Sequence, residues 1–133
     1  MLVIKKISIL LLLMTLGIGG FAMKPTLHWL EGTWEGTGGD VGTDFRWTIK
    51  LKYKADDKSI YLEYPSHSCG GFLKIITIEN GKANTLEDVN YGLNSCNTDL
   101  NVTIDQESDG SITLSYYIKG ATKPKAIAKL KRV

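Results

Sequence analysis

The sequence has few of the residues on which several classes of protein depend. Its 133 residues include only two cysteines and two histidines, with no Cys-x-x-Cys pair, so a zinc site built from these ligands is not expected. Two of the sixteen basic residues, Lys5 and Lys6, lie in an N-terminal segment of export type, and the 14 that remain equal the 14 acidic residues in number. Nucleic-acid-binding proteins need an excess of lysine and arginine, so that class is excluded.

Long helical patterns are also lacking after residue 22. The composition, with 43% hydrophobic and 23% charged residues, is that of a folded chain, which excludes wholesale disorder. A chain of this length forms one domain by default.

Residues 1–22 have the three regions of a secretory signal peptide. A short cationic start leads into an apolar stretch from Ile7 to about Ile18, and small residues follow up to Ala22. A transmembrane anchor is the alternative, but this stretch is shorter than the roughly 20 residues that a spanning helix needs. We therefore predict cleavage after Ala22 and a mature domain over residues 23–133 without a membrane span. The predicted location is secreted or periplasmic, where a disulfide can form.

The mature chain consists of short segments in which apolar and polar residues alternate. The clearest runs from Asp44 to Lys54, where five apolar side chains alternate with polar ones. Such alternation predicts an antiparallel strand with one buried face. Asn80-Gly81 is the strongest signal for a two-residue hairpin, because both central residues of a type I′ turn need positive φ. In total, the pattern predicts eight strands.

Eight sequential strands with short connections favour an up-and-down order, which can remove its exposed edges by closing into a barrel. A two-sheet sandwich is the alternative. The only helical candidate is about one turn over Pro25 to Leu30, which can cap one end. The predicted fold is therefore all-β: an eight-stranded antiparallel up-and-down barrel with a short N-terminal helical turn, preceded by a signal peptide.

Three stretches followed by a second cysteine form a wider pattern: GTWEGTG at 32–38, FRWTIKL at 45–51 and YPSHSCGG at 64–71. The pattern resembles calycin-type barrels such as lipocalins, and small secreted bacterial domains that have no established activity. The resemblance implies that Gly32 opens the first strand and that Trp34 packs beneath a basic residue from the end of the barrel, here Arg132. Cation–π attraction gives this pair a physical basis, because the first and last strands of a closed meander are neighbours.

The two cysteines are expected to form a disulfide. Cys69 stands just before a strand that begins near Phe72, and Cys96 stands just after the strand over residues 82–91. These strands form the hairpin at Asn80-Gly81, so the cysteines lie at its open ends. The closed loop should stabilise the fold by roughly 3–4 kcal/mol. A zinc site that includes His67 is the alternative, but it lacks further ligands.

The polar residues do not form a recognisable catalytic group. Ser66, His67 and Ser68 are adjacent, but neighbours on an extended segment point apart, and no strand-to-helix elbow exposes a serine. Three acidic pairs are expected in turns or on an outer face: Glu31 with Glu35, Asp56 with Asp57, and Glu87 with Asp88. The sequence therefore predicts no enzyme activity, no cofactor and no bound metal.

Bulky side chains are expected to point inward from the alternating strands: Phe45, Trp47, Tyr53, Leu62, Tyr64, Leu114 and Tyr116. An eight-stranded barrel is just wide enough to be filled by such side chains. The leading hypothesis is therefore a non-enzymatic, monomeric binding module that engages a protein partner, of inhibitor or immunity type, through loops at one barrel end. The alternatives are a lipocalin-like carrier of a small apolar ligand and a structural accessory domain.

The loop after the third strand is the predicted binding loop. Proline, two glycines and the disulfide restrict it, and a rigid loop loses less entropy when it binds a partner. It lies at the same barrel end as the loop that carries Cys96. The side chains expected at the binding surface are Tyr64, Ser66, His67, Ser68, Asn94 and Asn97. In the alternative interpretation, glycine and proline only allow a tight turn.

Overall fold

The structure is a computed structural model that describes residues 24–133, so the predicted signal peptide lies outside the described residues. Its regular elements are eight strands and two short 3-10 turns. The first 3-10 turn, His28–Leu30, is called the N-terminal turn below, and the second, Pro65–His67, joins the third and fourth strands. The strands are β1 (Gly32–Asp40), β2 (Arg46–Tyr53), β3 (Ser59–Tyr64), β4 (Cys69–Glu79), β5 (Lys82–Tyr91), β6 (Asn101–Gln106), β7 (Ile112–Tyr117) and β8 (Ala126–Arg132).

Each strand pairs antiparallel with the next one, and β8 pairs back with β1, which closes the sheet into a barrel. The closing register runs from Trp34 opposite Arg132 to Asp40 opposite Ala126. The prediction of an all-β, eight-stranded up-and-down barrel is therefore confirmed, and the two-sheet sandwich is excluded. Because β1 and β8 pair with each other, neither is left as an exposed edge.

The start of β2 differs from the prediction, and the difference changes the position of Phe45. Thr43 shapes the turn before β2: its backbone N–H donates to the Asp40 carbonyl at 3.2 Å, and its Oγ1 accepts from the Phe45 N–H at 3.2 Å. β2 consequently begins at Arg46, and Phe45 is held outside the strand with 52% of its surface exposed. The prediction that Phe45 points inward is wrong.

Side chains from all eight strands fill the interior. The other residues predicted to point inward are buried: Trp47, Tyr53, Leu62, Tyr64, Leu114 and Tyr116. The largest fully buried side chains outside that set include Trp34, Leu30, Ile49, Leu51, Ile60, Leu73, Ile104, Ile112 and Leu130. The width of an eight-stranded barrel matches the volume of such a set, so the predicted filled interior is observed.

The up-and-down order places the connections alternately at two ends of the barrel. One end, called the closed end below, carries the N-terminal turn and the turns over residues 54–58, 80–81 and 107–111. The opposite end, called the mouth below, carries the loops over residues 41–45, 65–68, 92–100 and 118–125.

Arg132 ties the last strand to the N-terminal turn at the closed end. Its guanidinium lies 4.3 Å from the centre of the Trp34 ring, a cation–π distance. The same guanidinium donates to the Trp29 carbonyl at 2.8 Å and to the Glu31 carbonyl. Trp34 Nε1 in turn donates to the Leu30 carbonyl at 2.8 Å, so the turn is fixed from two sides.

Gly32 leaves the space that this guanidinium occupies. A Cβ at Gly32 would lie 2.7 Å from Arg132 Nη1, so any other residue would displace the guanidinium. The φ of Gly32 is +122°, a region that favours glycine. The contacts therefore give Gly32, Trp34 and Arg132 the structural roles expected of them.

The disulfide between Cys69 and Cys96 is confirmed. Cys69 is the first residue of β4, and Cys96 lies in the loop after β5. Their Cα atoms are 6.4 Å apart, with a sequence separation of 27. The bond therefore ties the mouth loop over residues 92–100 to the start of β4, directly after the loop over residues 65–68.

Removal of this cross-link should destabilise the fold. We expect the variant Cys69→Ala with Cys96→Ala to lose about 3–4 kcal/mol of unfolding free energy, because the unfolded chain regains the freedom that the closed loop removes. Urea unfolding of the variant and of the oxidised wild type measures the difference. Equal midpoints, or two reactive thiols in unfolded and unreduced wild type, would contradict the assignment.

Candidate functional site

Large apolar side chains are exposed on three of the four loops of the mouth. Val41 and Phe45 precede β2, Leu93 follows β5 and Ile118 follows β7, and each is between 52% and 57% exposed. The fourth loop contributes His67, whose ring stacks on Phe45 with centroids 5.2 Å apart and planes 6° apart. At the closed end, the turns over residues 54–58, 80–81 and 107–111 contain no large apolar residue, while the N-terminal turn contributes the half-buried Trp29 and the chain ends at the exposed Val133.

A pocket of about 100 Å³ opens at the mouth. Its aromatic lining comes from Phe45, Trp47, Tyr64 and Tyr116, and its charged lining from Asp40, Glu87 and Lys125. His67 and Asn97 also contribute to the wall. The pocket is therefore apolar on most of its sides, with a few polar groups directed at a small volume.

Trp47, Tyr64 and Tyr116 form the aromatic floor of this pocket. The Trp47 ring lies 5.4 Å from each tyrosine ring, at 86° to Tyr64 and 88° to Tyr116. These edge-to-face contacts are favourable for aromatic rings. Trp47 also covers Gly38 of the neighbouring strand, where a Cβ would collide with the indole. The small residue on β1 thus creates the room for the large one on β2.

Glu87 lies at the bottom of the pocket and is only 3% exposed. Tyr64 donates its hydroxyl hydrogen to Glu87 Oε2, and the Tyr64 and Tyr116 oxygens are 3.0 Å apart. Because each phenol has one hydrogen, Tyr116 is the donor within the tyrosine pair when Tyr64 donates to the carboxylate. The result is a short hydrogen-bonded chain from Tyr116 through Tyr64 to Glu87.

The expectation that Glu87 lies on an outer face is wrong. Inward positions of β5 alternate as Ala83, Thr85, Glu87 and Val89, so the pleat of the strand directs Glu87 into the barrel. Asp88 points the other way and lies 3.4 Å from Lys74 Nζ, in agreement with the prediction for that residue. The sequence indicated the inward position of Glu87, because Ala83, Thr85 and Val89, which occupy every second position around it, are small or apolar.

The backbone of Glu87 is fixed by the end of the loop before β6. The Glu87 N–H donates to the Leu100 carbonyl at 2.8 Å, and the Asp99 N–H donates to the Glu87 carbonyl at 3.0 Å. The same loop is anchored by the disulfide at Cys96. The side chain of Glu87 is therefore presented by a rigid part of the barrel.

Burial raises the pKa of Glu87 from 4.5 to about 7, although the hydrogen bond from Tyr64 and the charge of Lys125 act in the opposite direction. Burial, together with the nearby carboxylate, also raises the pKa of Tyr64 and of Tyr116. In residues 24–133, no lysine or arginine nitrogen lies within 4.0 Å of the Glu87 carboxylate. Glu87 is thus a buried carboxyl group without a paired cation.

Three of the six residues predicted at the binding surface line the pocket: Tyr64, His67 and Asn97. Ser68 and Asn94 are exposed outside it, and Ser68 has a φ of 51°. Ser66 is engaged within the fold, because its Oγ accepts from the Thr48 N–H at 3.0 Å while its own N–H donates to Thr48 Oγ1 at 3.1 Å.

The prediction of a binding loop missed the contributions of other elements to the pocket. Asp40 ends β1, and Lys125 precedes β8, where its N–H donates to the Tyr116 carbonyl at 2.7 Å. The sequence around Asp40 or Lys125 gives no indication of a site, because the two residues come together only when β8 pairs with β1. His67 Nε2 is buried without a hydrogen-bond partner in the described chain.

A second cleft, of about 410 Å³, lies at the closed end. It is formed by residues 25–28, by the turn between β2 and β3, and by Ile75 and Ile78 of β4. Its charged side chains are exposed and solvated: Asp56, Asp57 and Lys58. The mouth is the stronger candidate because its pocket includes buried polar groups, those of Glu87, Tyr64 and Tyr116.

Residues 24–133 contain no group of three or more histidine, cysteine, aspartate or glutamate side chains placed to hold a metal ion. No helix within this range is long and apolar enough to cross a membrane.

Comparisons with protein-family models, with curated proteins and with solved structures found no match to this chain.

The variant Glu87→Gln should change how stability depends on pH. A carboxyl group whose pKa is raised on folding costs stability as pH rises from about 4.5 to about 7, and the cost remains above that range. The unfolding free energy of wild type minus that of Glu87→Gln should be about 3 kcal/mol lower at pH 8 than at pH 4. Urea unfolding of both proteins at both pH values measures this difference.

The matched control is Asp88→Asn, which removes a carboxylate from the next residue, on the outer face of the same strand. Its stability relative to wild type should change far less between the two pH values than that of Glu87→Gln. A Glu87→Gln difference that is the same at pH 4 and pH 8 would show that Glu87 titrates as an exposed carboxyl group does.

Proposed function

We propose that this protein is a non-enzymatic binding module of inhibitor or immunity type, which engages a protein partner through the loops of the mouth. The observation that carries the proposal is the difference between the two barrel ends. Val41, Phe45, Leu93 and Ile118 expose apolar surface on three loops of the mouth, and Phe45 also lines the pocket, whereas the turns over residues 54–58, 80–81 and 107–111 at the closed end are polar. Apolar surface that is rimmed by polar groups and concentrated at one place is typical of a protein-binding site.

The rigidity of the loops supports the same proposal. The disulfide ties the loop over residues 92–100 to the start of β4, and the loop over residues 65–68 is held where Ser66 exchanges hydrogen bonds with Thr48 of β2. The remaining two are joined where the Val41 N–H donates to the Lys125 carbonyl at 2.8 Å. A preorganised surface loses little conformational entropy on association, which favours affinity.

Carriage of a small apolar ligand is the weaker alternative. Drug-sized ligands occupy sites of about 300–1,000 Å³. The mouth pocket is only about 100 Å³, and a buried carboxyl group is part of its lining. The closed-end cleft, of about 410 Å³, reaches this range, but its wall includes the exposed charged residues Asp56, Asp57 and Lys58. A purely structural accessory role would not require exposed apolar side chains on three loops that surround a pocket with a buried carboxyl group.

A secreted or periplasmic location belongs to the same proposal. The Cys69–Cys96 disulfide supports it, because disulfides persist in oxidising compartments. The signal-peptide pattern of residues 1–22 points in the same direction.

Paired substitutions of matched chemistry test the proposed surface. The variant Val41→Ser with Leu93→Ser is immobilised and exposed to the envelope and medium of the source cells. It should capture about tenfold less of the partner than wild type does, because each lost apolar contact weakens the interface. The amount of the protein captured by wild type is measured by quantitative mass spectrometry for each bait.

The control bait is Ile76→Ser with Ile127→Ser, which changes two equally apolar residues on the barrel wall that are 63% and 44% exposed. It should capture the partner as wild type does. Loss of capture by the wall variant with retention by the mouth variant would move the binding surface to the wall and overturn the proposal.

A further inference from the structure

We propose that the mouth pocket receives the ammonium or guanidinium group of a lysine or arginine side chain of the partner, with the Glu87 carboxylate as its counter-ion. This inference rests on the proposed function, because it names the chemistry by which the same surface recognises its partner. It is carried by the pocket, its aromatic floor and the position of Glu87 at its bottom.

The first support is the incomplete compensation of Glu87. A buried carboxylate is costly unless it is hydrogen-bonded and paired with a cation. Tyr64 donates one hydrogen bond, but no lysine or arginine nitrogen of residues 24–133 pairs with the carboxylate. A cation that enters the pocket would supply the missing partner, and would gain a charge-assisted hydrogen bond in a site of low dielectric constant.

The second support is the aromatic lining. Cations are attracted to aromatic rings, most strongly when water is excluded. The floor contains Trp47, Tyr64 and Tyr116, and Phe45 stacks with His67 at the entrance. Apolar surface at the entrance suits the methylene stem of lysine or arginine, which packs on such surface while the charged group continues to its counter-ion.

The third support is the size and the charge balance of the pocket. A volume of about 100 Å³ suits the end of one side chain and excludes a larger ligand. Two carboxyl groups, of Asp40 and Glu87, face one ammonium group, of Lys125. An anion would meet both carboxylates, so charge complementarity favours a cation.

Model tripeptides test the inference without knowledge of the partner. The probes are N-acetylated, C-amidated glycine–lysine–glycine and its counterparts in which norleucine or glutamate replaces lysine. Titration into the folded protein at pH 8 is followed by NMR through the indole N–H of Trp47. The lysine peptide should give saturable shifts with an affinity about tenfold or more above that of the norleucine peptide, because only lysine brings a charge to Glu87.

Three variants identify the group that responds. Glu87→Gln should lower the affinity for the lysine peptide about tenfold or more, whereas the outward-facing control Asp88→Asn should leave it unchanged. Lys125→Met removes a like charge from the wall and should raise the affinity about two- to fivefold. If Glu87→Gln does not fold, the result with Lys125→Met decides, since Lys125 is only partly buried.

Several outcomes would overturn the inference: no saturable binding of the lysine peptide, equal affinity for the norleucine peptide, preference for the glutamate peptide, or full affinity in folded Glu87→Gln. Weaker binding by Lys125→Met would also contradict it. The proposed function is tested separately. If capture of the protein partner depends on Val41 and Leu93 but not on Glu87, the mouth remains the binding surface and only the cation pocket is wrong.

Discussion

Closure of β8 onto β1 is the constraint on which the rest of the structure depends. Once eight strands form a ring, the interior has room for side chains and little else, so every inward position must be filled. At the closed end this is achieved by Trp34, which carries Arg132 on its face and donates to Leu30 below. One guanidinium thereby joins the last strand to the segment that precedes the first one.

At the mouth, the inward positions are filled by different kinds of side chain. There the layer of inward side chains ends in aromatic rings and in Glu87, a carboxyl group that has a hydrogen bond from Tyr64 but no paired cation. An apolar residue of similar volume would be less costly in a core. In the proposed function, a partner supplies the opposite charge that this buried acid lacks within the described chain.

Local patterns predicted the fold because its main signals are local. The alternation over β2 and the Asn80-Gly81 hairpin each follow from residues close together in sequence. The site depends instead on which face of its strand each residue occupies and on the pairing of β8 with β1. Phe45 lies outside β2 because of the hydrogen bonds that Thr43 makes, and Glu87 faces inward because its position in the pleat of β5 matches those of Ala83, Thr85 and Val89. These inward side chains are small, so the apolar alternation of β5 is a weak signal in the sequence. Lys125 reaches the pocket only across the closed barrel.

The titration of Glu87 is the most direct test, because both the energetic and the binding arguments require a buried carboxyl group at the mouth. Its side-chain carboxyl carbon can be followed by NMR from pH 4 to pH 9 in the free protein, with Glu87→Gln to assign the signal. The structure predicts a midpoint at about 7. A midpoint near 4.5, the ordinary value for glutamate, would contradict the account, because it would mean that water or a cation already compensates the charge.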